Sequence, residues 1–279
     1  MERGAGTFTS TVMATKGNTS RDLHLIRPRK LIGVLFLLLL VFLGCDSENA
    51  SDCFQQTGNI SRVEVSVPNF DKITVFEHIT LVVQQGNTQK VEIETGENLR
   101  NEVGAKVEEG RLLLMDTNDC NFVREYGTTV VYVTSPNITE IRSSTGFPIQ
   151  SNGVLSYPSL TLLSESFNEP NAATTDGSFE LALDAVTLNI VVNGIAYFQL
   201  RGTVENLNVS IAAGDSRIEA QELTAQNVIF NHRGSNDILV DPQLRLSGIL
   251  RGTGDLQSFH RPNAIEVQEL FTGRLIFRE

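Results

Sequence analysis

The sequence predicts an all-β protein: a β-solenoid (β-helix) with rungs of about 20 residues over its second half, preceded by a region of alternating strands. Three observations carry this reading. Composition comes first: Trp is absent and Pro contributes only 8 of 279 residues, while Val, Ile, Leu and Thr recur between Gly, Asn and Asp, a mixture of strand and turn formers. The second is a period of two in the apolar residues. The third is a regular spacing of glycines.

The alternation runs through residues 60–142. Val63, Val65 and Val67 share one parity, as do Ile73, Val75, Ile79, Leu81 and Val83, with Glu77 interrupting. Val91 and Ile93 follow the turn Gly86-Asn87. Val103, Ala105 and Val107 lead into Glu109-Gly110, a hairpin signal, and Leu112 and Leu114 leave it. Val131 and Val133 run up to the breaker Pro136. Strict alternation between turn residues describes half-buried strands, and no stretch holds a helical period.

From residue 143 a repeat takes over. Gly194, Gly214, Gly234 and Gly254 are 20 residues apart, with Gly177 before them and Gly273 after. Polar turns surround them: Gly214-Asp215-Ser216, Gly234-Ser235-Asn236-Asp237 and Gly254-Asp255. Short alternating segments flank each turn, such as Leu188/Ile190/Val192, Leu207/Val209/Ile211 and Val228/Phe230. A unit of about 20 residues cannot bury its apolar side chains alone, so stacking is required. The glycines are expected to supply positive-φ corners. Residues 265–276 are expected to cap the stack with a hairpin-like end.

The N-terminus reads as an address. Arg27, Arg29 and Lys30 precede the apolar run Leu31–Leu43. Thirteen residues span only about 20 Å as a helix, short of a bilayer's hydrocarbon core, so the run describes a signal peptide. It ends Phe42-Leu43-Gly44-Cys45, which resembles the lipobox of bacterial lipoproteins: cleavage before Cys45 and lipidation of its thiol are expected. Phe42 and Leu43 depart from the usual pattern. The domain plan is therefore a signal peptide at 1–44, with translation starting at Met13 or later as an option; a lipidated Cys and tether at 45–59; the alternating region at 60–142; and the solenoid at 143–279. The expected location is the bacterial envelope, as an outer-membrane lipoprotein facing periplasm or exterior. With Cys45 lipidated, Cys53 and Cys120 remain; an oxidising compartment would let them form a disulfide, and two separate thiols are the alternative.

Charge narrows the partners. Six basic and two acidic residues among the first 44 leave 16 basic and 31 acidic in the rest, a net of −15. Such a body repels phosphate backbones, so nucleic acid is excluded as a partner. The partners expected are the membrane, through Cys45, and an envelope or extracellular protein or glycan.

Catalytic motifs are missing. His78, His232 and His260 are far apart and read as surface or strand-edge residues. There is no Gly-x-Ser-x-Gly elbow, no phosphate-cradling Gly-rich loop and no zinc pattern. No cofactor or metal is assigned. The sharpest candidates are Asp215, Asp237 and Asp255. In a 20-residue register they share one edge, where carboxylates could take calcium or sugar hydroxyls; capping of their own turns is the plainer reading.

Several segments together resemble a known family: Cys53-Phe54-Gln55-Gln56-Thr57-Gly58; Phe70-Asp71-Lys72-Ile73 before paired strands; Cys120-Asn121-Phe122-Val123-Arg124; the Gly-Asp turns; and Arg261-Pro262-Asn263-Ala264-Ile265 with Thr272-Gly273-Arg274-Leu275. Residues 52–279 resemble the head GIN domain family of putative auto-transporter adhesins, common in Bacteroidetes. The resemblance implies a β-helical fold without enzyme activity, and an adhesin or interaction module. A periplasmic envelope-stress or scaffolding module is the second reading, and a polysaccharide-active β-helix enzyme the third.

Overall fold

Among the described residues seventeen strands occur and no α-helix. The computed structural model describes residues 52–118, 120–168, 172 and 174–278. The apolar run Leu31–Leu43 and Cys45 lie outside them. The strands are β1 (Ile60–Val65), β2 (Lys72–Val75), β3 (Ile79–Gln85), β4 (Lys90–Gly96), β5 (Val103–Glu108), β6 (Arg111–Asp116), β7 (Thr129–Ser135), β8 (Glu140–Ser143), β9 (Pro148–Leu155), β10 (Ser159–Ser164), β11 (Ser178–Val192), β12 (Tyr197–Ile211), β13 (Arg217–His232), β14 (Ile238–Leu250), β15 (Leu256–Ser258), β16 (Ala264–Glu269) and β17 (Leu275–Phe277).

Pairing resolves into two ladders. One runs β5-β6-β2-β8-β10, continues through the C-terminal halves of β11, β12, β13 and β14, and ends at β16. The other runs β1-β4-β7-β3-β9, continues through the N-terminal halves of the same long strands, and ends at β15 and β17. Each long strand thus crosses from one ladder to the other. The inward parity of both ladders forms one apolar cluster from Phe70 to Leu256.

Strands form at the apolar segments of the alternating region, but β1 stops at Val65, short of Val67, and Val63 is exposed. Glu109 and Gly110 both take positive φ, 49° and 76°, and turn β5 into β6 as an antiparallel hairpin. The break at Glu77 is a corner: β2 belongs to one ladder and β3 to the other, with His78 at φ 69° between them. The turn at Gly86-Asn87 joins strands that do not pair together; β4 instead pairs antiparallel with β1 and β7.

In the second half every pairing is parallel. Ser178 lies opposite Tyr197, Tyr197 opposite Arg217, and Ile218 opposite Ile238. Inward columns follow: Phe179 stacks on Phe198 with centroids 4.6 Å apart, and Ile218, Ile238 and Leu256 continue the line. Outward positions carry amide ladders, with Asn208 Nδ2 donating to Asn189 Oδ1 at 2.9 Å and Asn227 Nδ2 to Asn206 Oδ1 at 3.1 Å. The chain end differs from the hairpin expected: β16 pairs parallel with β14, and β17 with β15. It extends both ladders, because the alternating residues of 264–277 fit the next turn of the same register.

The spaced glycines serve a purpose other than the one expected. Only Gly214 of the 20-residue series has φ in the left-handed region, at 89°. What the series shares is close approach. A Cβ on Gly214 would stand 2.1 Å from Gly194 O, one on Gly254 2.0 Å from Asn236 O, and one on Gly273 2.2 Å from Gly254 O. The turns stack backbone on backbone, and Gly is required for space.

Candidate functional site

The outer parity of the second ladder gathers polar side chains in register. β12 presents Tyr197, Gln199 and Arg201; β13 presents Arg217, Glu219 and Gln221; Asp237, Asp255 and Gln257 follow on the next turns. Tyr197 Oη donates to Glu219 Oε2 at 2.7 Å, and Arg217 Nε donates to Glu219 Oε1 at 2.7 Å. The Tyr197 hydroxyl and then the Arg217 guanidinium hold the Glu219 carboxyl below its ordinary range, and the same hydrogen bond pushes the Tyr197 phenol up. Glu219 is therefore a charged, oriented acceptor at neutral pH.

A bulge sits within this face. The register between β12 and β13 shifts between Gln199 and Arg201, since β13 carries an extra residue there. The shift opens a groove of about 220 Å³ lined by Gln199, Leu200, Arg201, Glu219, Gln221 and Glu222. Gln221 Oε1 is buried there without a hydrogen-bond partner.

The three predicted carboxylates lie on the adjoining turns, but in two columns. Asp215 is exposed and accepts from Ser235 Oγ at 2.6 Å. Asp237 Oδ1 accepts from the Asp255 backbone N–H at 3.0 Å, and its Oδ2 from Gln257 Nε2 at 2.8 Å. Asp255 Oδ1 accepts in turn from the Arg274 backbone N–H at 2.8 Å. Asp237 and Asp255 thus share a column and Asp215 does not, because the spacing between them is 22 and then 18 residues, and only the second matches the local strand register, Ile238 opposite Leu256. Among the described residues, no group of three or more His, Cys, Asp or Glu is placed to hold a metal.

Sequence reasoning missed the Tyr197–Glu219–Arg217 cluster. Its signal was available: all three have the parity opposite to the inward residues Phe198 and Ile218. His232 also departs from expectation, being fully buried. It shares parity with Val228 and Phe230 and stands between Ile211 and Leu250 in an aliphatic column. Cys53 and Cys120 form a disulfide. His260 is exposed, as the sequence suggests.

The described residues thus form an all-β fold, parallel in its second half, with polar side chains ordered by hydrogen bonds on its outer face. The model of the family described as putative auto-transporter adhesin, head GIN domain, matches residues 69–262, and the chain belongs to that family. Similar crystal structures include a putative adhesin from Bacteroides fragilis at 18% identity and TM-score 0.69, covering 80% of this chain and 99% of that one. Another, from Parabacteroides distasonis, has 16% identity and TM-score 0.56, covering 79% and 99%. A third, from Parabacteroides merdae, has 18% identity and TM-score 0.53, covering 80% and 98%. Identities this low speak for the fold alone. A comparison with curated proteins finds no match. No helix of the described residues is long and apolar enough to cross a membrane.

Proposed function

We propose that this chain is a lipid-anchored protein of the bacterial cell envelope and acts as a non-enzymatic binding module. In this reading the parallel stack is a β-solenoid with rungs of about 20 residues. Its polar outer face meets a glycan polymer or an extended protein. The observation that carries the reading is the row of Tyr197, Arg217, Asp237 and Asp255, with Glu219 and Gln257 in the neighbouring column on either side of Leu239 and the groove at the Gln199–Arg201 bulge opening beside it. Strands repeat about every 4.8 Å, so the row offers fixed donors and acceptors along a line, which suits a ligand that is itself extended. Exposed Asp215 widens the same surface toward sugar hydroxyls. Cys45 is the anchor site, in the outer membrane.

The test is access on intact cells. Added protease should cleave within residues 52–278 without lysis. Full protection until the cells are broken would remove the surface role and leave a periplasmic scaffolding role. Mass measurement of the mature N-terminus should find acylated Cys45. Incubation with envelope and host glycans should show retention without shortening of the polymer, and Glu219→Ala should weaken retention.

A further inference from the structure

The loop from residue 117 to 128 is fastened on one side and bare on the other. Its fastenings are polar. The Cys53–Cys120 disulfide ties it to the start of the described chain, and the Phe122 backbone N–H donates to Cys53 O at 3.0 Å. Arg124 Nη2 donates to Asn118 O at 3.1 Å, and Asn118 Nδ2 to Leu99 O at 3.2 Å. Asn121 accepts from the Arg124 backbone N–H at 2.9 Å and donates to Arg124 O at 2.8 Å. The bare side is apolar: Phe54 is 54% exposed, Phe122 73%, Val123 54% and Tyr126 73%. Phe54 and Phe122 have ring centroids 5.9 Å apart, and Tyr126 Oη donates to Asn121 O at 3.3 Å.

We propose that this apolar cluster of Phe54, Phe122, Val123 and Tyr126 seats on the lipid bilayer to which the anchor at Cys45 holds the chain; the inference rests on the lipoprotein reading given above. The tether sets the geometry. From Cys45 to Cys53 the chain advances eight residues, which reach at most about 29 Å when fully extended. The cluster is therefore an exposed apolar surface that the anchor keeps within reach of the membrane. Phe and Tyr side chains on a rigid support match the headgroup boundary, where apolar rings enter the acyl region and a hydroxyl remains wet. The disulfide and the hydrogen bonds beneath hold the rings out before contact, so little ordering entropy is lost on docking. The neighbouring surface carries the neutral polar residues Gln56, Thr57, Asn59 and Asn98, with one cation, Arg124, and two carboxylates, Glu97 and Glu125, so it has no excess of positive charge to draw anionic lipid. Attraction is thus apolar, and zwitterionic lipid suffices. One consequence is orientation: docking at this end turns the far turns of the stack away from the membrane.

The experiment uses mature protein purified from its membrane and reconstituted in phosphatidylcholine vesicles that carry an acyl-chain diazirine. After illumination, digestion and mass spectrometry locate the lipid adducts. Adducts should concentrate on peptides containing Phe54 and residues 122–126, about tenfold above the exposed apolar residues Phe259, Leu270 and Phe271 at the other chain end, the factor that burial of one aromatic side chain supports. The triple variant F54S/F122S/Y126S should lose those adducts while its circular dichroism and intact Cys53–Cys120 bond are unchanged. Adducts spread evenly, or absent from 122–126 in acylated protein, overturn the docking and leave the anchor standing. Cross-links between residues 122–126 of two copies, without lipid adducts, overturn it in favour of self-association. An unacylated Cys45 in the same digest overturns the anchor, and with it the seating proposed.

Discussion

Arg142 and Glu165 form an ion pair inside the protein: Nη1 lies 2.7 Å from Oε1, with side-chain exposures of 8% and 0%. Arg142 sits on β8 next to Leu163 of β10, and Glu165 follows β10 directly. Arg142 Nη1 also reaches Glu165 O at 3.1 Å, and the Asn168 backbone N–H donates to Glu165 Oε2 at 2.9 Å. The pair fixes the start of the segment that leads to β11. Removing one partner strands a buried charge, so Arg142→Met should cost about 3–5 kcal/mol in urea unfolding, and R142M/E165M less.

That pair has an acid limb. Burial pushes the Glu165 carboxyl up, but the Asn168 N–H and Arg142 outweigh it and hold the group below its ordinary 4.5. A carboxyl depressed on folding contributes stability above its unfolded value, and this is lost as pH falls through the folded one. Unfolding free energy should therefore drop below pH 4.5, and Glu165→Gln should flatten that limb.

His232 supplies a second pH dependence, at higher pH. Burial lowers its imidazole below 6.5, outweighing the carboxylates of Asp237 and Asp255. The neutral form is favoured in the folded state, so stability is full above 6.5 and declines as pH falls toward the folded value. His232→Leu continues the Ile211–Leu250 column and should remove this decline. It also strips the Gly234 N–H of its 3.3 Å acceptor, His232 Nδ1, costing about 1–3 kcal/mol at pH 7. Chemical denaturation across pH 5–8 checks both effects.

The stacked glycines predict a graded series. Gly214→Ala meets Gly194 O at 2.1 Å and keeps a φ of 89°, and should cost about 3 kcal/mol or more. Gly153→Ala also has positive φ, 87°, but nothing within 4 Å, and should cost about 1 kcal/mol. Thermal unfolding of the two variants separates crowding from backbone strain.

The Cys53–Cys120 disulfide joins residues 67 apart, and loops of this size imply about 4 kcal/mol of stabilisation. Cys53→Ser/Cys120→Ser should lower unfolding free energy by about that amount. Hydrogen exchange should rise first in residues 117–128, because the loop carries few apolar anchors inward.

The sequence by itself determined the β class, the strand segments of residues 60–142, the turns at the spaced glycines and the family. These follow from local chemistry: period two buries one parity, and Gly, Asn and Asp mark reversals. His232 in isolation reads as a surface or strand-edge residue, although its parity with Val228 and Phe230 carries the signal that it points inward. Tertiary structure decided what pairs with what. Gly86-Asn87 looks like a turn between partners, yet β3 and β4 share only β7 between them. Asp215 looks like one of three in a row, yet a two-residue difference in spacing puts it in another column. Partners in a parallel stack are a whole turn apart in sequence, and bulges such as that at Gln199–Arg201 change the count locally. Nothing in the neighbouring residues records that shift, so the groove beside the Tyr197–Glu219–Arg217 cluster exists only once the strands are paired.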